Sequence, residues 1–259
     1  ISFAAPGTEY AGIKNNIMVG GRDWVWGAGI EVMGQPTVEG NIIIDWQQGF
    51  QMSTGYVPNN QSGGTAVGGP TIRNNFVQNP NEYGIWKTHV NEQVDTVIEG
   101  NYIENAKIAG ILISQDNQNG FEITNNTIVR DAGYWTSQRA FEGTPTVNYV
   151  SDTDEHNDYN GLNGHGYHGI AVLNNPGMVI ADNYVLQRAG SAPSGFVFNG
   201  IRLDGSGYSG TQVSGNMIVS NDAGLGTGID WTTIGGLNTV SFSSNTFENL
   251  DTVIKPGSA

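Results

Sequence analysis

The sequence contains no cysteine and no apolar run of about 18 residues. The first absence excludes disulfide cross-links and thiolate chemistry, and the second excludes a helix that spans a bilayer. Basic residues are also scarce, because 10 Lys and Arg stand against 24 Asp and Glu and leave a formal net charge of −14. Such a charge repels phosphate backbones and acidic lipid surfaces, so we expect no nucleic-acid partner and no membrane insertion, whereas exposed acidic loops favour Ca²⁺.

The composition predicts a single folded domain over residues 1–259, since no shift in composition divides the chain. Apolar residues at 37% and aromatic residues at 10% are enough for a packed core. The 38 glycines follow no Gly-X-Y period, which excludes a collagen-like chain. The first residues lack the charged and apolar regions of a signal peptide, so we expect a mature protein or an excised fragment.

A short motif recurs eight times and covers nearly the whole chain. Its order is apolar, any residue, bend residue, Asn, any residue, apolar, and the bend residue is nearly always of a type that adopts a left-handed backbone at low cost. Every repeat therefore bends at the same point, where stacked Asn side chains can hydrogen-bond to one another. The asparagines are Asn16, Asn41, Asn75, Asn101, Asn126, Asn183, Asn216 and Asn245.

A second strand follows in each repeat and usually begins with Gly-Ile, as at Gly84-Ile85 and Gly110-Ile111. The shortest spacings between motif asparagines are 25 and 26 residues, too short for helical crossovers between strands. The sequence therefore predicts an all-β fold, a single-stranded right-handed parallel β-helix (solenoid) of about eight coils with an Asn ladder, roughly 40 Å long. Residues 1–10 show no cap helix, so we expect a longer native chain, or stacking or oligomerisation through the coil ends.

This repeat resembles the right-handed parallel β-helix superfamily, which includes pectate and alginate lyases, polygalacturonases, mannuronan C5-epimerases and phage tailspikes. The resemblance covers the whole chain. It implies that a polysaccharide is the commonest partner, and it implies an extracellular or cell-surface location in bacteria or phage. Several members of the superfamily are adhesins or structural rods, so the resemblance specifies the fold and leaves the activity open.

Insertions interrupt the repeat, and the longest covers about residues 131–168 in coil five. The insertions of coils five to seven leave the same edge of the coil, so we expect their loops to form a wall and a groove beside the Gly-Ile strands. The longest insertion holds three of the four histidines and several aromatic residues, which suit acid–base chemistry and stacking on sugars. The alternative is a loop that packs over the coil for stability alone.

Within this insertion, Asp152, Asp154 and Asp158 are predicted metal ligands. Their spacing lets one loop wrap a hard cation with oxygen atoms, so Ca²⁺ is the expected cofactor. The alternative is a solvated acidic loop without a metal. Nothing in the sequence indicates an organic cofactor.

Five residues are candidate catalytic groups. His165 and His168 are candidates for the base that abstracts the C5 proton of a uronate whose carboxylate a cation neutralises. Strand alternation directs Arg202, Asp204 and Asp230 outward as neighbours on adjacent coils. The two aspartates are then candidates for the acid and the base of an inverting glycoside hydrolase. The alternative is an outward salt bridge to Arg202 that contributes little stability.

A further set of aromatic and basic residues is predicted to contact the sugar chain from coil three and from the insertion. These candidates are Trp86, Lys87, Trp135, Arg139, Tyr159 and Tyr167.

Two hypotheses on function follow. In the first, the chain is a secreted, carbohydrate-active protein, either a glycoside hydrolase or a polysaccharide lyase or epimerase, that works in the groove of coils five to seven. In the second, it is a non-catalytic structural or adhesive rod, such as a segment of a surface layer, fibre, adhesin or phage tail. The second hypothesis rests on the missing N-terminal cap and on the absence of a complete catalytic motif.

Overall fold

The computed structural model describes residues 2–3, 12–20, 27–32, 35–52, 67–87, 93–106, 108–113, 120–131, 166–173, 175–188, 197–205, 207–221, 226–231 and 240–256. Every regular element in these ranges is a β-strand, and the strands number 27. No helix in this part of the chain is long and apolar enough to cross a membrane.

The strands form three long parallel sheets, which confirms the predicted right-handed parallel β-helix of eight coils. Each coil adds one strand to each sheet, and each strand pairs with its equivalents in the coils before and after it. We number the sheets in the order in which the chain meets them within a coil. Sheet one contains β2 (Gly12–Lys14), β5 (Thr37–Glu39), β9 (Thr71–Arg73), β13 (Val97–Glu99), β16 (Glu122–Thr124), β19 (Val179–Ala181), β22 (Gln212–Ser214) and β25 (Ser241–Ser243).

Sheet two follows directly after the Asn bend. It contains β3 (Ile17–Val19), β6 (Ile42–Ile44), β10 (Phe76–Gln78), β14 (Tyr102–Glu104), β17 (Thr127–Asp131), β20 (Tyr184–Arg188), β23 (Met217–Ser220) and β26 (Thr246–Glu248). The bend thus divides what the sequence motif presents as one strand into two, so that a coil has three strands and not two.

Sheet three holds the Gly-Ile strands and one additional strand at its N-terminal edge. It contains β1 (Ser2–Phe3), β4 (Ala28–Val32), β7 (Gln48–Met52), β11 (Tyr83–Lys87), β15 (Ala109–Ile113), β18 (Gly166–Leu173), β21 (Val197–Asp204), β24 (Thr227–Trp231) and β27 (Thr252–Pro256). A separate pair, β8 (Val67–Gly68) and β12 (Gln93–Val94), lies outside the three sheets.

The predicted Asn ladder is present and runs through all eight coils, as Asn101 illustrates. Its side-chain Nδ2 donates to Oδ1 of Asn126 at 3.0 Å and to the backbone carbonyl of Ile72 at 2.9 Å. Its Oδ1 accepts from the backbone N–H and from Nδ2 of Asn75, at 3.0 and 2.9 Å. The buried amide is therefore satisfied on both sides, which avoids the free-energy penalty of an unpaired polar group in the interior.

The residue before each ladder asparagine has a left-handed backbone, with φ between 53° and 67°. This is the bend that the sequence predicts, and the residue types there are those that adopt this conformation most readily. The eight positions are Asn15, Gly40, Asn74, Gly100, Asn125, Asp182, Gly215 and Ser244.

The core lies between the three sheets and consists mainly of Ile and Val from coils one to seven. Sheet three departs from simple alternation at its recurring glycine. In β11, Tyr83 and Trp86 belong to a separate apolar cluster outside the core, whereas Ile85 is a core residue. A Cβ atom on Gly84 would lie 2.4 Å from Cγ2 of Ile103, so Gly84 also faces inward. Two consecutive inward residues shift the phase of the strand, as in a β-bulge.

The insertions of coils five to seven all leave the corner between sheets two and three, as predicted. The chain leaves this corner after Asp131, Arg188 and Ser220 and enters sheet three at Gly166 and at the corresponding strands of the next two coils. In coils two to five the corner also carries a second, shorter polar stack that the sequence analysis missed. Its members are Asp45, Asn79, Asn105 and Asp131, joined by hydrogen bonds of 2.8 to 3.4 Å.

Candidate functional site

Sheet three presents two rows of side chains on the face that points away from the core, which we call the outer face. The first row is formed by the residue before the recurring glycine, and the second by the residue two positions after that glycine. The first row is Ala28, Gln48, Tyr83, Ala109, His168, Asn199 and Thr227. The second row is Glu31, Gln51, Trp86, Leu112, Ala171, Arg202, Asp230 and Lys255.

The outer face is apolar in coils three to five. Tyr83, Trp86, Ala109, Leu112 and Ala171 form one cluster, in which the rings of Tyr83 and Trp86 lie 5.3 Å apart. Trp86 is only 2% exposed although it points away from the core. Trp86, a predicted platform for sugar, therefore stands within a packed cluster.

The outer face is polar in coils five to seven, where three of the predicted catalytic residues meet. Arg202 donates to Oδ2 of Asp204 at 2.8 Å, and it stands opposite Asp230 in the register of β21 and β24. Sequence alternation predicted this neighbourhood correctly. The distance between Arg202 and Asp204 also matches the alternative that the sequence left open, a salt bridge.

His168 and Asn199 occupy the first row beside this pair. Nδ1 of His168 lies 3.2 Å from Nδ2 of Asn199, its register partner on the next strand. Burial lowers the pKa of His168, and the positive charges of Arg202 and Arg130 add to this effect, so that the pKa is about 3. His168 is therefore neutral at pH 7. Because Nδ1 accepts from Asn199, the ring proton is carried by Nε2.

Apart from the guanidinium of Arg202, which is engaged with Asp204, three polar atoms on this face are buried and have no hydrogen-bond partner in the described part of the chain. They are Nε2 of His168, Oδ1 of Asn199 and Oδ1 of Asp230, on residues that are 1%, 2% and 5% exposed. Each such atom costs about 1 to 3 kcal/mol while it stays unpaired. Three of them on adjacent strands mark a place where a polar ligand would stabilise the fold.

Tyr167 does not fit its predicted role in binding sugar. It is fully buried in the main core, because β18 directs it inward next to the outward His168. Its ring stacks on Phe198 at 6.1 Å, and the guanidinium of Arg130 lies 4.3 Å from the ring centre. An arginine over an aromatic face is a favourable contact in the interior.

Lys87 does not fit a role at the groove either. It is fully buried, and the register places it between Met52 and Ile113, both of which are core residues. Lys87 follows the inward Ile85 by two residues, so ordinary strand alternation turns it inward. Burial lowers the pKa of Lys87 to about 8, because the interior disfavours the ammonium ion.

We predict that Lys87→Met raises the free energy of unfolding by about 1 to 3 kcal/mol at pH 7. The pKa of Lys87 is lower in the folded than in the unfolded chain, so the penalty for the charged amine is complete below pH 8 and disappears above the unfolded pKa. The gain should therefore shrink by about half at pH 9.5. Urea unfolding at pH 7 and at pH 9.5 measures the difference in the free energy of unfolding between Lys87→Met and the unchanged protein. Lys255→Met, at an exposed position of coil eight, is the matched control and should change little; an equal gain in both variants would contradict the prediction.

Seven predicted site residues lie outside the described residues, so their roles remain predictions. They are His165, Trp135, Arg139, Tyr159, Asp152, Asp154 and Asp158. Among the residues that the structure does describe, no group of three or more His, Cys, Asp or Glu could hold a metal ion.

Sequence reasoning missed Asn199, which joins His168 to the polar half of the face. A signal was available, because Asn199 precedes Gly200-Ile201 just as His168 precedes Gly169-Ile170. The residue before each Gly-Ile pair is an outer-face position in every coil that has one.

No protein-family model, no curated protein and no solved structure matches the chain. The features of the chain that bear on its function are therefore the fold and the polar half of the outer face.

Proposed function

We propose that the chain is an extracellular or cell-surface protein that binds a polysaccharide on the outer face of sheet three in coils five to seven. The observation that carries this proposal is the set of three buried, unpaired polar atoms on that face. Native interiors leave few polar atoms unpaired, and such groups commonly belong to binding or catalytic sites. Sugar hydroxyls are ligands of the kind that such atoms accept.

The apolar half of the same face supports the proposal. Tyr83 and Trp86 lie in coil three, and coil four separates them from the polar half along the rod axis. Aromatic rings are the usual partners of the apolar faces of sugars. A long polymer laid along the rod would meet both halves. Tyr83 and Trp86 are 7% and 2% exposed, so binding requires that these side chains become accessible.

The proposal extends to hydrolysis of the bound polymer. In this scheme one carboxyl group, of Asp204 or Asp230, gives its proton to the glycosidic oxygen as the bond to the anomeric carbon breaks, and the other takes a proton from the attacking water. His168 is neutral and would hold the substrate as a hydrogen-bond donor. Elimination or epimerisation assisted by Ca²⁺ at Asp152, Asp154 and Asp158 is the second chemistry, as the sequence suggests.

A polysaccharide screen tests this proposal. Acidic and neutral polymers are incubated with the protein, with and without EDTA, and both reducing ends and the absorbance of unsaturated uronates are followed. Hydrolysis should release reducing ends without the absorbance of unsaturated uronates, and Asp230→Asn should abolish the release of reducing ends. Asp251→Asn, an exposed aspartate of coil eight, is the matched control and should remain active. Failure to bind or cleave any polymer would overturn the proposal.

The rod hypothesis has one specific observation in its favour. Ile254 aligns with the core residue Ile229, yet it is 39% exposed, and Val253 beside it is 49% exposed. An apolar surface of this kind on coil eight is suited to end-to-end packing of one β-helix on another. Sedimentation velocity over a range of protein concentrations tests this: concentration-dependent linear assembly that Ile254→Lys abolishes would favour the rod, and a monomer at all concentrations would count against it.

A further inference from the structure

The three unpaired atoms of the outer face differ in hydrogen-bonding character. Nε2 of His168 carries the ring proton and is a donor, because Nδ1 already accepts from Asn199. The free Oδ1 atoms of Asn199 and Asp230 are both acceptors. A ligand that pairs with all three must therefore offer at least two donors and one acceptor.

The same atoms are spread over three adjacent strands. His168 and Asn199 are register partners on β18 and β21, and Asp230 lies on β24 in the second row. Adjacent strands are about 4.8 Å apart, so the three positions span about 10 Å across the face. That span is on the order of one to two sugar rings and is too wide for a single water molecule or ion.

The charges of the site also disfavour an anionic ligand. Asp204 and Asp230 bring two carboxylates, and the charge of Arg202 faces Asp204 at 2.8 Å. Lys255 stands opposite Asp230 in the register of β24 and β27, so two acidic and two basic residues balance on this face and leave no excess positive charge for an anionic ligand. Arg130 lies over the ring of Tyr167 inside the core. A carboxylate or sulfate on the ligand would bring acceptors only, and it would stand against the two acceptor oxygens of the site.

From this arrangement we infer that the site recognises a neutral glycan, through hydroxyl groups that accept from His168 Nε2 and donate to Asn199 Oδ1 and Asp230 Oδ1. The inference rests on the proposed polysaccharide function and narrows its substrate class against uronate polymers. A cation is not the ligand that fits, because a protonated Nε2 has no lone pair with which to coordinate a metal.

Calorimetric binding tests the inference with two sets of oligosaccharides of equal length. One set is neutral and comprises gluco-, manno-, galacto- and xylo-oligosaccharides, and the other comprises polyuronate oligosaccharides. We expect at least one neutral ligand to bind, and each uronate to bind at least about tenfold more weakly. Asn199→Leu should weaken the neutral ligand about tenfold or more, because it removes one acceptor and one orienting donor. Asn199→Ser, which keeps a smaller polar group, replaces Asn199→Leu in this test if the leucine variant fails to fold.

The controls separate the inference from the proposal on which it depends. Asp251→Asn should leave binding unchanged, and thermal unfolding checks that each variant is folded. Uronates that bind as tightly as neutral sugars, with binding lost in Asp230→Asn, would overturn the inference and leave the proposed function standing. Binding of neutral sugars that Asn199→Leu and Asp230→Asn leave unchanged would overturn the inference, because the ligand would lie elsewhere. Absence of binding in both sets would overturn the proposed function itself.

Discussion

Replacing Gly110 with alanine is expected to lower the free energy of unfolding by about 3 kcal/mol or more, since overpacking of a filled core costs about 1 to 3 kcal/mol even without a backbone clash. The added Cβ would stand 2.4 Å from Cγ2 of Ile128 and 2.7 Å from the carbonyl oxygen of Gly169. Neither neighbour can yield cheaply, because Ile128 is a fully buried core residue and Gly169 is held in the adjacent strand. Urea unfolding followed by circular dichroism measures the effect.

Gly12→Ala is the matched control for this substitution. Gly12 is in a strand as well, but the Cβ added there would meet only the flexible side chain of Lys14, at 3.0 Å from Cε. We expect a change of less than about 1 kcal/mol, as for other surface substitutions. An equal loss of stability in the two variants would show that the recurring glycine of sheet three is required for its backbone conformation and not for the close approach of sheets two and three.

Asn101→Ala is expected to destabilise the protein by about 3 to 5 kcal/mol, because the buried groups left unpaired cost about 1 to 3 kcal/mol each. The substitution removes the partner of the Asn75 backbone N–H, one of the two acceptors of Asn75 Nδ2 and the side-chain donor to the Ile72 carbonyl. The site is only 1% exposed, so water does not replace them. The same urea experiment gives the loss of stability. Asn101→Asp should be as damaging, because a carboxylate cannot donate to Asn126.

The first asparagine of the ladder, in coil one, provides the control for Asn101→Ala. Asn16 donates to Asn41 Oδ1 and to the carbonyl of Lys14, and it is partly exposed to solvent. Asn16→Ala should therefore cost about 1 kcal/mol, the net value of a hydrogen bond that water can partly replace. A loss at Asn16 as large as that at Asn101 would show that burial is not the source of the ladder's contribution.

The fold was predictable because its determinants are local and repeated. A left-handed bend followed by Asn needs particular residue types at two consecutive positions, and eight copies of that pair are visible in the sequence. The polar stack at the next corner was equally periodic, since Asp45, Asn79 and Asn105 each follow a ladder asparagine by four residues. It was missed because the later coils carry other residues there, such as Gln187.

The site was predictable only in part. Alternation correctly placed Arg202 beside Asp230, because both residues follow a Gly-Ile pair and so share one phase. It did not give the position of Tyr167, which precedes the recurring glycine and is inside the core, whereas the burial of Lys87, two residues after the inward Ile85, follows alternation. Simple alternation allows one inward residue at a time, whereas the recurring glycine permits two in succession, and that exception can be seen only when sheet two packs against it.

The sequence by itself determined the class of fold, the number of coils, the position of each Asn bend and the corner from which the insertions leave. Each of these depends on a residue's own backbone preference or on hydrogen bonds to its equivalent in the next coil, so the pattern along the chain is sufficient. Only the tertiary structure decided which polar side chains are buried together on the outer face, and which atoms of His168, Asn199 and Asp230 have no hydrogen-bond partner. Burial and pairing depend on side chains from three different coils, and no spacing within one coil contains that information.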